Sequence, residues 1–325
     1  MFSYRNLLRQ AWNLSWRYKH LWIFGLFASL TAAGGSMEYQ VLTQNLNQSL
    51  INGTYVHING LMTMGQALSS VCLGLAGLFR QDILVVLNVI SLLLISLTLA
   101  AAIIWLAIAS QAGLIDRIKK LLDSKKKLPD LSLREGLAAG NRHFWPVLGM
   151  NILIKILVNF AFFLISLPLL FMVLSQAPVL IGAYTVLFVI FVPVAVSLSL
   201  LVKYAIAYQV LDGERFVPAL EKGWGLFRRH WLVSLEMAII LFIISFLAGL
   251  AMLVVVSIFI FPLFWMGAAF QMTWLTVLSL LLALIIIVVI GSWLVTFQIS
   301  TWTSLFLTLK EKGGLAKLER LFSRR

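Results

Sequence analysis

Six apolar stretches dominate this chain, near residues 21–37, 83–109, 144–175, 179–210, 231–261 and 275–309. Three of them contain no charged residue, and the others carry one each: Lys155, Lys203 and Glu236. A bilayer-spanning helix needs roughly 20 predominantly apolar residues, with about 17 as the lower limit. Every stretch reaches that length, so the sequence predicts an all-α polytopic membrane protein with six transmembrane helices. Composition agrees, since 61% of the 325 residues are hydrophobic and 11% charged, against roughly 25% charged in a soluble domain.

The charges then set the topology. Of 25 basic residues, 22 lie before the first stretch, between the second and third, between the fourth and fifth, or after the sixth. Arg80 alone lies on the opposite side, and Lys155 and Lys203 fall inside stretches. The positive-inside rule places the 22 in the cytoplasm together with both termini, so a multi-pass plasma-membrane location is expected. A net charge of +13 is thereby mostly a topology signal. Its second meaning is attraction to anionic lipid, about 1 kcal/mol per basic residue near the surface. No nucleic-acid recognition module accompanies it. The lone cysteine, Cys72, excludes an intramolecular disulfide.

A short phrase occurs three times ahead of apolar stretches. Leu8-Arg9-Gln10-Ala11-Trp12 leads to His20 and Trp22, Leu133-Arg134-Glu135-Gly136-Leu137 to His143 and Trp145, and Leu220-Glu221-Lys222-Gly223-Trp224 to His230 and Trp231. The spacing predicts three internal repeats within one membrane domain, about 1–128, 129–217 and 218–325. Each repeat is expected to hold a cytoplasmic amphipathic interfacial helix followed by a transmembrane hairpin. Because the first copy precedes a span as the others do, the basic and apolar N-terminal region reads as a retained unit and not as a cleaved signal.

Residues 38–82 read as an external loop. Within it, 61–79 carries no charge until Arg80, and counting it as a span would put Lys119 to Lys127 outside. It is therefore expected to be re-entrant or interfacial.

Tryptophan favours the membrane interface, and histidine beside arginine suits lipid phosphate. Arg17, His20, Trp22, Arg142, His143, Trp145, Arg229, His230 and Trp231 are accordingly candidate headgroup or interface contacts. No carboxylate or cysteine joins the histidines at ligand spacing, so no metal site and no cofactor are expected.

Charged residues within spans are functional suspects. Asn151, Lys155 and Asn159 recur at four-residue spacing, and with Glu236 they form a candidate intramembrane polar site. Lys155 reaches towards the level of Glu236, an ion pair that would lock the second repeat to the third. Alternatively Lys155 snorkels alone, or Asn151, Lys155 and Asn159 line a path for an anion or a lipid headgroup. Gln111, Gln209 and Gln298 recur near the cytoplasmic ends of the even-numbered spans, suited to interhelical hydrogen bonds. Gly249 and Gly291 are expected to permit close helix contacts.

No Gly-rich phosphate loop, HExxH or GxSxG is present, and no enzyme is expected. The approach phrase, Leu220 through Trp231 and again Leu8 through Trp22, resembles the multi-span membrane domain attached to some bacterial glycerophosphoryl diester phosphodiesterases, and the stand-alone bacterial membrane proteins grouped with it. In that family the phosphodiesterase chemistry belongs to a separate soluble barrel, for which this chain has no room. The resemblance implies a non-catalytic membrane module that organises lipids or a cytoplasmic or membrane protein partner. The alternative is a transporter or channel for a lipid-related or small anionic solute.

Overall fold

The computed structural model describes residues 4–31, 83–123, 133–175 and 179–312. Among these, every regular element is helical: α1 (Tyr4–Arg17), α2 (Leu21–Ala28), α3 (Ile83–Asp123), α4 (Leu133–Arg142), α5 (Phe144–Ser175), α6 (Val179–Asp212), α7 (Phe216–Arg229), α8 (Trp231–Val255), α9 (Phe261–Ala269) and α10 (Thr273–Lys312). A π-helical turn, Val256–Ile260, joins α8 to α9. Four described stretches are long and apolar enough to cross a membrane: Leu84–Asp123, Thr185–Asp212, Trp231–Ala269 and Thr273–Glu311. A fifth exists if Arg134–Arg142 and Phe144–Phe160, bent by 68° at the break, count together. The chain is a helical membrane protein. Of the expected first span only the start, through residue 31, is described. The expected external loop at 38–82, with its segment 61–79 and Cys72, lies outside the described residues.

Long apolar helices need internal partners for their hydroxyls. The Oγ1 atoms of Thr296, Thr301 and Thr303 each donate to the carbonyl four residues back, at 2.8, 2.9 and 2.8 Å. The hydroxyls are satisfied within the helix and need no water. Helix ends follow backbone chemistry. Gly213, at φ +68°, stops α6 in the left-handed conformation that glycine adopts most cheaply. Between α9 and α10 the chain turns at Gln271, φ 52°. There Gly267 lies so close to Thr276 that an added Cβ would sit 2.7 Å from its backbone nitrogen.

Each copy of the repeated phrase is helical, and each helix breaks at its histidine. His20 caps the start of α2, His143 alone separates α4 from α5, and His230 alone separates α7 from α8. At the third corner the His230 N–H still reaches the Leu226 carbonyl at 3.1 Å, and Ser234 Oγ donates to the His230 carbonyl at 2.9 Å. Hydrogen bonding therefore continues around the bend.

The chain divides into two compact units, Met1–Met37 with Leu106–Leu153 and Ser199–Arg325, and Glu38–Trp105 with Ile154–Leu198. The first holds most of the described core: Leu21, Phe24, Leu114, Ile118, Met150, Tyr204, Ile206, Met237, Leu305 and Phe306 are all buried. In the second, Val158, Phe191 and Ala195 are buried, while Leu92, Leu97, Ile156 and Val189 are exposed. Helices apolar on all sides yet exposed suit a hydrocarbon surround.

Close approaches in the first unit fall at small residues. The Gly113 Cα faces the Gly136 carbonyl so closely that a Cβ would collide with it, and Gly140 stands likewise against the Ala109 carbonyl. Gly25 fits against Ser292 and Thr296, whose Oγ1 also lies 3.2 Å from the Leu21 carbonyl. The expectation for Gly249 and Gly291 is corrected: a Cβ on either meets nothing within 4 Å among the described residues. Both are half-buried, but nothing described stands where a Cβ would project, so their small size is not what admits a neighbour.

Candidate functional site

The small residue of each repeated phrase points inward. Ala11, Gly136 and Gly223 are buried. Gly136 meets α3 through Gly113 and Arg117, and Gly223 meets α6, with its would-be Cβ 3.1 Å from the Ala205 nitrogen. Helix α1 packs on α10, where Trp12 sets its ring edge-on to Trp293 at 5.0 Å and Phe297 at 6.0 Å. Leu7 and Leu14 are also buried. Part of the apolar side of α1 is thus covered by protein, while Trp12 and Trp16 remain exposed.

The opposite sides are exposed. Arg9, Arg17, Arg142, Arg228 and Arg229 are open, as are Trp145 at 76% and Trp231 at 51%. The three corners differ in detail. Trp22 is half-buried and its Nε1 donates to the Ser15 carbonyl at 2.7 Å, so its N–H closes the first corner internally. His20, His143 and His230 are half-buried. His143 Nδ1 stands 3.3 Å from the Ala139 carbonyl, and His20 packs edge-on against Tyr18. Among the described residues no cluster of three metal-ligating side chains occurs.

The ends of α3, α6 and α10 converge. Lys119 Nζ donates to the Leu211 carbonyl at 3.3 Å, and Lys310 Nζ pairs with both Asp212 carboxylate oxygens at 2.7 Å. Lys310 also lies over the Tyr208 ring. Lys222 donates to Glu214, and that hydrogen bond raises the lysine's pKa above its ordinary value. Arg117, 1% exposed, lies over the Phe24 ring at 5.6 Å.

One to three turns inside this charged end is a cavity of about 30 Å³, lined by Gln111 and Ile115 of α3, Lys203, Tyr204 and Ala207 of α6, and Ile299, Trp302 and Thr303 of α10. Lys203 Nζ stands 4.7 Å from the centre of the Trp302 ring. Tyr204 shares a 2.7 Å hydrogen bond with Ser234 on α8. Asn151 Nδ2 donates to Gln111 Oε1 at 3.0 Å and to the Val147 carbonyl at 2.9 Å, fixing the glutamine from behind.

The polar residues expected within the membrane are thus separated by role. Asn151 is a buried structural partner of Gln111. Lys155 and Asn159 are exposed, and Asn159 Nδ2 donates to the Lys155 carbonyl at 2.7 Å on the same helix. None of these three lines the cavity. Glu236, half-buried, accepts a hydrogen bond from the Tyr4 hydroxyl, a partner the sequence did not suggest. Lys155 belongs to the other unit. The glutamines divide also: Gln298 Nε2 donates to Ser245 at 2.7 Å, and the buried side chain of Gln209 has no hydrogen-bond partner among the described residues.

Lys203, which the sequence places inside an apolar stretch but not in the candidate polar site, lines the cavity. Its signal was present, a single cation inside an apolar stretch, but Trp302 lies 99 positions further along the chain and only folding joins them. Comparisons with family models, curated proteins and solved structures match nothing.

Proposed function

We propose that this chain is a non-catalytic integral membrane module whose charged end holds anionic lipid headgroups, and through them or beside them a membrane-associated partner. The observation that carries this reading is the two-sidedness of α1, α4 and α7. Their small residues, Ala11, Gly136 and Gly223, are buried, while Arg17, Arg142, Arg229, Trp145 and Trp231 remain exposed at or beside the corners. Exposed arginine next to exposed tryptophan is the pairing that an interface rewards. The indole sits at headgroup depth, and the guanidinium forms charge-assisted bonds to phosphate.

The finer topology belongs to the same proposal. Six spans form three hairpins, each entered from an interfacial helix on the cytoplasmic face of a bacterial inner membrane. The uneven distribution of basic residues supports this, as does the break of each helix at a histidine. Likeness to the membrane domain of glycerophosphoryl diester phosphodiesterases rests on the approach phrase and supplies no catalytic residue.

The test is lipid retention. The protein is reconstituted in nanodiscs of phosphatidylcholine with phosphatidylglycerol, then released for native mass spectrometry. Phosphatidylglycerol should be retained selectively, and replacing Arg17, Arg142 and Arg229 together with glutamine should abolish the selectivity. Equal retention of the two lipids by the unaltered chain would overturn the reading.

A further inference from the structure

We infer that the tryptophan corner between α1 and α10 binds the zwitterionic headgroup of a phospholipid, with the ammonium against Trp12 and Trp16 and the phosphate on Arg9. Three observations carry it.

The first is the geometry of the rings. Trp12 and Trp16 are near parallel, at 10°, with centroids 6.4 Å apart. Each stands edge-on to Trp293, at 88° and 89°. Phe297 extends that floor, lying at 18° to Trp293. Trp22 closes the side next to Trp16, at 6.0 Å, and is itself held by its bond to the Ser15 carbonyl. Leu7, Ala11 and Leu14 form the buried side of α1, whereas Trp12 and Trp16 are 46% and 55% exposed. A cation is attracted to a ring within about 6 Å of its centroid, and most strongly to tryptophan. Walls this close let one ammonium reach both.

The second is the charge around the corner. Arg5, Arg9, Trp12 and Trp16 follow one another at spacings of four, three and four, which is one side of a helix, and all four are exposed. Neither arginine has an ion-pair partner among the described residues. Helices α1 and α2 contain no carboxylate, and Glu236 takes the Tyr4 hydroxyl about two turns along α1 from Trp12. A bare cation would be drawn to the rings and repelled by the arginines. A bare anion would suit the arginines and meet the negative ring faces. A ligand carrying both charges satisfies both.

The third is spacing and depth. Arg9 and Trp12 are three residues apart, about 4.5 Å along the helix, a separation that the two-carbon tether between phosphate and amine in an ethanolamine headgroup spans. A basic, aromatic interfacial helix lies at the level where such headgroups sit.

This inference rests on the proposed placement of α1 at the membrane surface, but it uses none of the arginines proposed to hold anionic lipid. The experiment reconstitutes the full chain in nanodiscs with equal parts of phosphatidylethanolamine, its N-acetylated form and phosphatidylglycerol, and reads the retained lipids by native mass spectrometry. N-acetylation keeps the phosphate and removes the cation. The unaltered chain should retain phosphatidylethanolamine over the N-acetylated form. Replacing Trp12 and Trp16 together with leucine should reduce that preference about three- to thirtyfold, and replacing them with phenylalanine should reduce it less. Arg9→Gln should weaken retention of phosphatidylethanolamine. Replacing Arg17, Arg142 and Arg229 with glutamine should leave the preference intact whatever happens to phosphatidylglycerol, which separates this site from the one proposed above. Should the leucine variant not fold, the unaltered chain and the phenylalanine variant still decide. Equal retention of phosphatidylethanolamine and its N-acetylated form by the unaltered chain, or a preference unchanged in the folded leucine variant, would overturn the assignment.

Discussion

The Tyr4 hydroxyl on α1 donates to the Glu236 carboxylate on α8, across 232 positions of sequence. A helix from the first copy of the repeated phrase is thereby tied to the helix that follows the third. Helix α1 also lies along α10, so the beginning of the described chain is fastened to its end.

Removing that tie should loosen α1 first. Tyr4→Phe deletes one hydrogen bond to a carboxylate, about 1.5 to 3 kcal/mol where the group is charged and desolvated, and Glu236 is only half-buried. The lower end of that range is expected in thermal unfolding. Limited proteolysis should cut beyond α1 sooner in Tyr4→Phe than in the unaltered chain, and Glu236→Gln, which keeps an acceptor, should be milder.

Glycines in this chain should sort by what faces them. Gly113→Ala drives a Cβ into the Gly136 backbone, where no flexible side-chain end can give way. Overpacking of this kind costs about 1–3 kcal/mol. Gly249→Ala meets open space, removes backbone entropy from the unfolded chain, and should be neutral or stabilising by about 0.5–1 kcal/mol. Equal effects in the two variants, read by unfolding in detergent, would contradict the packing described.

Asn151 and Gln111 should be energetically coupled. In a double-mutant cycle of Asn151→Leu and Gln111→Leu, the interaction energy should fall at about 0.6–2 kcal/mol, the range of interhelical hydrogen bonds within membranes. A coupling near zero would mean that the 3.0 Å contact contributes nothing to the fold.

Lys155 should be dispensable for folding. It is exposed, and the nearby Asn159 amide bonds to backbone. Lys155→Met should alter folded yield and unfolding midpoint little, within the roughly 0.5 kcal/mol usual at exposed positions. A large fall in yield, rescued by Glu236→Gln, would restore the ion pair that their helical depths suggest.

The sequence by itself determined where the long helices run. The stretches at 144–175 and 179–210 became α5 and α6 almost residue for residue, because in hydrocarbon an unpaired backbone group costs several kcal/mol and a long apolar run has few alternatives to a helix. It also marked the breaks, since histidine and flanking charge interrupt the apolar runs at 20, 143 and 230.

What it could not determine is which side of each helix faces protein. In water an apolar stripe declares the buried face; in a helix apolar all round, lipid and protein impose the same composition and the stripe vanishes. That is why Gly113 and Gly249 look alike in sequence and differ in the fold, and why Lys155 and Lys203 look alike although only Lys203 lines a cavity. Tertiary structure decided these points through contacts too distant for any local pattern to carry: Gly25 against Thr296, Lys203 over Trp302, and Tyr4 on Glu236.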